Sequence, residues 1–195
     1  SEARKYLQNR NITDEIIDEF EIGFSSNVDV LSNLLTSKGF DENILLETGL
    51  VNQGAKLYDV FKNRITFPIH NSSGKPVGIS ARIYKQSDEA KYVNTKETVI
   101  FKKGEILFNY HRAINEAKKL KTLIIVEGQM DAIRLYASGI KNVVATMGTA
   151  LTKEHIKLLK KLNVKIVLCM DNDSAGEIAT LKNGESLSES GLTTN

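Results

Sequence analysis

The stretch LIIVEGQMDAI, Leu123–Ile133, decides how this chain is read. Four apolar residues run directly into Glu127 and Gly128, and a pattern that reads as a helix follows. A buried strand that ends on a carboxylate, with a glycine behind it, raises the question of what else lies at that strand end.

Working outward towards the C-terminus, the alternation repeats. TLIIVEG predicts a strand and QMDAIRLYASG a helix ended by Gly139; NVVATMGT predicts a strand and TKEHIKLLKKL a helix capped by Thr152. VKIVLCMDNDSAG predicts a third strand running into a further helix start. Strands that are apolar throughout and alternate with helices predict a parallel sheet covered on both faces, in an α/β arrangement. Ligands of such sheets gather at the carboxyl ends of the strands.

That rule brings the acids together. Glu127 ends the first strand, Asp171 and Asp173 end the third, and MGT ends the second, exposing backbone N–H groups beside a small hydroxyl residue. Asp131, one helical turn after Glu127, is a further candidate for the same edge. Like charges this close repel unless a cation sits among them or some are protonated. The available donors are oxygens, which select hard ions such as Mg²⁺ or Mn²⁺ over zinc. Helix capping accounts for either acidic strand end alone, but not for acids recurring at equivalent ends of two strands.

Towards the N-terminus, the first fifty residues read as short helices. DEIIDEF has Thr13 as N-cap, NVDVLSNLLTSKGF has Asn27 as cap and Gly39 as stop, and DENILLETG repeats the form. These helices are acidic, which argues against their being a phosphate-facing surface. RITFPIH, NSSG and KPVGISARIY then read as two strands joined by a turn, with Pro68 pointing to an edge position. KQSDEAKYVNTKETVIFKKGEILF reads as loop and short strands, and HRAINEAKKL as a helix.

Composition bounds the function classes. The chain has 195 residues, 41% hydrophobic and 26% charged, as an ordinary globular protein does. No apolar run approaches a membrane span, and no signal peptide is expected at the N-terminus. A single cysteine, Cys169 inside an apolar run, fits a reducing cytosol, so the expected location is cytoplasmic with no membrane partner. Net charge is only +2, but residues 1–50 carry −6, residues 51–103 carry +6 and residues 104–195 carry +2. The middle block is either a solvated basic face or a surface for phosphates.

Several motifs are excluded. DNDSAGEIATLK begins like a calcium loop, but Ala175 and Lys182 stand where oxygen ligands are required. There is no G-x-x-x-x-G-K-[ST], no G-x-G-x-x-G after a strand, no G-x-S-x-G and no candidate cysteine nucleophile. His70, His111 and His155 lack metal-ligand spacing.

Glu-Gly after one strand, Gly-Thr after the next and Asp-x-Asp after the third resemble the toprim domain, shared by bacterial primases, type IA and II topoisomerases and some nucleases. VEGQMDAI and MDNDSAG look like the primase versions of the first and third motifs. YDVFKNRITFPIHNSSGKPVGISAR and KYVNTKETVIFKKGEILF are similar to the basic subdomain preceding toprim in bacterial replicative DNA primases. The resemblance runs over nearly the whole chain. It implies an N-terminal mixed α/β basic subdomain over residues 1–115 and a toprim subdomain over 116–195, truncated at its C-terminal end.

The activity implied is a DNA-dependent RNA polymerase that joins ribonucleoside triphosphates into short RNA primers on a single-stranded DNA template, using Mg²⁺ or Mn²⁺. By motif, Glu127, Asp171 and Asp173 would be the catalytic and metal-site acids; Glu127 could instead transfer a proton. Gly128, Gly148 and Gly176 would keep side chains away from the site. Arg64, Arg82, Lys91, Asn94 and Lys103 fall on positions the family uses near nucleotide and template, with Lys102 adjacent and Tyr92 either stacking or packing. The replicative helicase would be a partner through a region absent from this chain, and guanine nucleotides possible regulators.

Two departures stand out. GISAR replaces a GFGGR-like segment, and the sequence runs into GESLSESGLTTN where the family continues to a strand with a further acidic pair. No Cys/His zinc ribbon or helicase-binding region is present, so the expectation is a piece of the catalytic core. The competing functions are another toprim activity, a topoisomerase or nuclease, and a non-catalytic nucleotide or single-stranded nucleic-acid-binding module.

Overall fold

Helices and strands alternate in two different ways along the chain. The computed structural model, which describes residues 1–171 and 174–192, groups them into two units. One comprises Ser1–Ile69 and Pro76–Lys102, the other His70–Lys75 and Lys103–Asn195.

The first unit holds α1 (Glu2–Gln8), α2 (Asp14–Glu19), β1 (Gly23–Ser25), α3 (Val30–Ser37), α4 (Glu42–Glu47), β2 (Val51–Gln53), β3 (Leu57–Asp59), β4 (Arg64–His70), β5 (Pro76–Ile83) and β6 (Tyr92–Asn94). Thr13 Oγ1 accepts from the Ile16 N–H, and Asp41 Oδ1 accepts from the N–H groups of Asn43 and Ile44, as capping residues should. At α3 the cap differs from expectation. The N-cap is Asp29 rather than Asn27, and its side chain makes no cap bond. Asp59, 27 residues further on from Ser32, accepts from the Leu31 and Ser32 N–H groups at 2.9 and 2.7 Å. A carboxylate from β3 thus satisfies the helix terminus, and Asp29 turns instead to the Asp59 N–H and to Lys62.

The antiparallel sheet has the order β1-β4-β5-β6, beside a small β2-β3 hairpin. Pro68 therefore lies on an interior strand, not an edge strand. It is tolerated because β1 pairs only with Arg64–Thr66, leaving that side of β4 uncovered at Pro68. Ile65, Phe67, Ile69 and Phe101 are fully buried, each contributing about 1.5–3 kcal/mol by removal from water. Ser80 and Ala81 of GISAR are likewise fully buried.

The second unit holds a 3-10 turn (Lys103–Glu105), α5 (Tyr110–Leu120), β7 (Thr122–Val126), α6 (Gln129–Ala137), β8 (Val143–Ala145), α7 (Lys153–Leu162), β9 (Lys165–Cys169) and α8 (Ser174–Glu189). Its sheet is parallel, ordered β8-β7-β9, as the apolar runs predict. The two crossovers from β7 to β8 and from β8 to β9 run in opposite directions across the sheet. Right-handed connections then place α6 on one face and α7 on the other. Leu123, Ile125, Val144 and Ile166 pack with Tyr110, Ala113 and Ala117 of α5 and with Ile156, Leu159 and Leu162 of α7. The outer edge of β8 is closed by Phe108, which exchanges two backbone hydrogen bonds with Ala145. No helix of the described residues is long and apolar enough to cross a membrane.

Candidate functional site

Strand register fixes where Glu127 leaves the sheet. Val126, the last residue of β7, is partnered with Ala145 of β8 on one side and Cys169 of β9 on the other. Glu127 therefore leaves the sheet at the same edge as Asp171, which follows β9 by two residues and is exposed. The loop after β8 folds over this point. Thr146 N–H donates to the Val126 carbonyl at 3.2 Å and Gly148 N–H to the Glu127 carbonyl at 3.3 Å.

Two glycines at this edge answer to close approach. A Cβ on Gly128 would stand 2.7 Å from Asp131 Oδ2, so glycine there admits the Asp131 carboxylate to the Glu127–Gly128 turn. A Cβ on Gly176, in the first turns of α8, would collide with the Asp171 main-chain carbonyl. Glycine lets that helix start seat directly against the end of β9. Asp173 lies outside the described residues.

In kind, these donors suit a hard divalent cation, since Glu127, Asp131 and Asp171 offer only oxygen. The ligand set is not closed: among the described residues no group of three or more His, Cys, Asp or Glu side chains comes together to hold an ion. A carboxylate from outside those residues would be needed to complete it.

Two of the sequence-predicted cationic and polar positions, Arg82 and Asn94, come together on β5 and β6. Arg82 is paired with Tyr92 and Ser80 with Asn94, so all four side chains share one face, and Lys91 is the exposed residue just before β6. An Arg82 Nη donates to Tyr92 Oη at 2.7 Å. The guanidinium also lies 5.1 Å from the Tyr92 ring centre and 5.3 Å from that of Tyr6 on α1, within cation–π range. Arg82 Nε and Asn94 Oδ1 are buried and have no hydrogen-bond partner among the described residues. A buried donor and a buried acceptor left open on one face are costly unless a ligand meets them.

Arg64 does not belong to this group. Ile83 and Val93, each next in sequence to Arg82 and Tyr92, line a cavity of about 560 Å³ together with Arg64. Successive strand residues face opposite sides, so this cavity is on the other face of the sheet. Arg64 is 5% exposed; one Nη donates to Glu89 Oε2 at 2.7 Å and the other to the Ala90 carbonyl at 2.9 Å. The other cations there are matched as well, Lys62 by Asp29 and Lys85 by Glu2, both at 2.6 Å. A pocket whose cations already have carboxylates offers little to a phosphate.

Lys103 falls in the second unit, at the head of the 3-10 turn. It is half-buried, and burial pushes its ammonium pKa down.

Sequence reasoning missed Tyr6 and Arg10. The Arg10 guanidinium stacks 3.7 Å over the Tyr6 ring, the same ring that faces Arg82, so α1 and its following turn extend the cationic–aromatic face. The net charge of residues 1–50 concealed this, because the acids fall later. Residues 1–12 hold Arg4, Lys5 and Arg10 against Glu2 alone, and Tyr6 and Arg10 have the i,i+4 spacing of a stacked pair.

Comparisons with known proteins agree with this geometry. A family model described as the DNA primase catalytic core, N-terminal domain, matches residues 1–114, and one described as Toprim-like matches residues 124–195. The DNA primase of Staphylococcus aureus (strain MW2) is 43% identical over 195 residues, 98% of this chain and 32% of that protein. That of Staphylococcus epidermidis is 42% identical over the same shares. The chain thus spans about a third of the length of the curated relatives it matches. The RNA polymerase domain of Mycobacterium tuberculosis primase DnaG superposes with a TM-score of 0.91 at 32% identity, over 99% of this chain and 66% of that one. A DnaG primase catalytic domain solved bound to single-stranded DNA gives 0.85 at 34% identity, over 96% of this chain and 59% of its own.

Proposed function

The chain belongs to the DNA primase catalytic-core family, and from that premise we propose that it is part of a polymerase that joins ribonucleoside triphosphates into short RNA primers on single-stranded DNA. The observation that carries this reading is the edge of the parallel sheet, where Glu127 and Asp171 leave neighbouring strands in register. Within that reading, residues 1–115 form the basic subdomain and residues 116–195 the toprim subdomain.

Toprim and primase core domains are metal-dependent as a class. Mg²⁺ or Mn²⁺, held by Glu127, Asp171 and Asp173, would supply charge neutralisation at the α-phosphate and the departing pyrophosphate. The protein's own groups bind and orient. Arg82 Nε donates to a phosphate oxygen, Asn94 Oδ1 accepts from a nucleotide N–H or O–H, and Tyr92 and Tyr6 present ring faces beside them. Lys91 and Lys103 add point charges for phosphates, and their contribution weakens with salt. The same reading includes the replicative helicase as a partner of the longer protein and guanine nucleotides as regulators.

The test is ribonucleotide incorporation on a single-stranded template by the complete catalytic core. Asp171→Asn keeps the side-chain volume and removes the charge, and it is expected to lower synthesis by at least about a hundredfold. Synthesis retained by that variant would overturn the assignment. Nicked or relaxed DNA in place of RNA product would point to the other toprim chemistries.

A further inference from the structure

The 3-10 turn that carries Lys103 has little to hold it by itself. It is three residues long, and it sits in a stretch, Thr95–Asn109, that contains no other helix or strand. The turn is closed by a bond from the Ile106 N–H to the Lys103 carbonyl, at 3.3 Å. Such short turns fray readily, and a lysine on one loses rotamer and backbone freedom when it meets a ligand.

The N-terminus of α7 supplies what the turn lacks. Thr152 Oγ1 accepts from the His155 N–H at 3.1 Å and donates to the Gly104 carbonyl at 2.5 Å. The Thr152 N–H donates to His155 Nδ1 at 3.3 Å, so the ring proton lies on Nε2, which donates to the Ile106 carbonyl at 3.1 Å. His155 is fully buried, and burial pushes its pKa down, which keeps the ring neutral as this tautomer requires. A capping box ordinarily uses Glu or Gln at its third helical position, whose side chain reaches back to the cap N–H. Histidine in that place does both tasks: Nδ1 closes the box and Nε2 reaches outward to a second segment. Two carbonyls of the Lys103-bearing segment, at Gly104 and Ile106, are thereby fastened to a helix of the parallel-sheet unit.

We propose that Thr152 and His155 are positioning residues for Lys103, fixing the backbone from which its ammonium meets a nucleotide phosphate. This rests on the reading of Lys103 as a phosphate contact. Without the clamp the lysine remains, but the turn must be ordered when the nucleotide binds, and affinity falls while the chemical step does not.

The experiment is steady-state primer synthesis by the complete primase with ATP as the varied substrate, beside thermal melting. The variants are Lys103→Ala, Thr152→Val, Thr152→Ser, His155→Leu, His155→Gln and the Lys103→Ala/Thr152→Val double. Thr152→Val and His155→Leu are expected to raise KM for ATP by about threefold to tenfold, with kcat within about twofold. Thr152→Ser and His155→Gln, which keep the donor and acceptor atoms, are expected to restore wild-type KM. In the double variant Thr152→Val should add nothing to Lys103→Ala, because it acts through that lysine. If Lys103→Ala raises KM and Thr152→Val does not, or if their effects add, the clamp does not position Lys103. If Lys103→Ala leaves KM unchanged, the phosphate contact itself is wrong and the positioning role falls with it. Thr152→Val decides the matter by itself where His155→Leu melts below the assay temperature.

Discussion

Arg64 and Arg82 stand on adjacent strands of one antiparallel sheet, and resemblance to the primase family assigns both to nucleotide or template. Their surroundings differ in each respect that governs binding. Arg64 is buried, with its guanidinium spread over Glu89 and the Ala90 carbonyl in a cavity where other cations are also neutralised. Arg82 lies between two tyrosine rings on the opposite face, with its Nε unmet. A positive residue in a basic block is available to a phosphate only where its hydrogen bonds and charge are not already spent inside the protein. By that criterion we propose that Arg64 anchors the loop ahead of β6 and that Arg82 is the one open to a ligand.

The largest expected effect is on stability. Arg64→Met removes a buried guanidinium that anchors the loop ahead of β6, and it should lower unfolding free energy by about 2–4 kcal/mol in urea titrations. Affinity of the folded protein for an oligo-dT strand, read by fluorescence anisotropy, should stay within about twofold of wild type. Lost affinity with unchanged stability would reverse the assignment. Arg82→Ala should do the opposite on a smaller scale. It is expected to weaken oligo-dT binding about tenfold, or roughly 1.4 kcal/mol, and to reduce the slope of log affinity against log salt by about 0.7. Equal effects of the two substitutions on binding would dissolve the comparison.

The same contrast explains what was legible from sequence. The parallel sheet could be read because LIIV and IVLC within its strands are apolar without a break and the carboxylates after them stand out. Strands β1, β2 and β3 were not legible, since three residues cannot display a period of two. Pro68 misled because the rule that expels proline from interior strands concerns local pairing, and β1 is too short to reach it. Asn27 was expected to cap α3 because capping was sought nearby, whereas the acceptor, Asp59, is a residue of β3. Arg64 and Arg82 look alike in sequence, because neither Glu89 as a partner nor the face of a strand is visible in a charge count. Arg10 and Tyr6 were hidden by averaging charge over fifty residues.

We propose that the edge carrying Glu127 and Asp171 accepts a hard metal ion, and Mn²⁺ binding followed by electron paramagnetic resonance tests this most directly. Titrated into this chain, Mn²⁺ should lose free-ion signal, and Asp171→Ala should restore that signal at the same protein concentration. Equal binding by both proteins, or binding by neither, would contradict the claim.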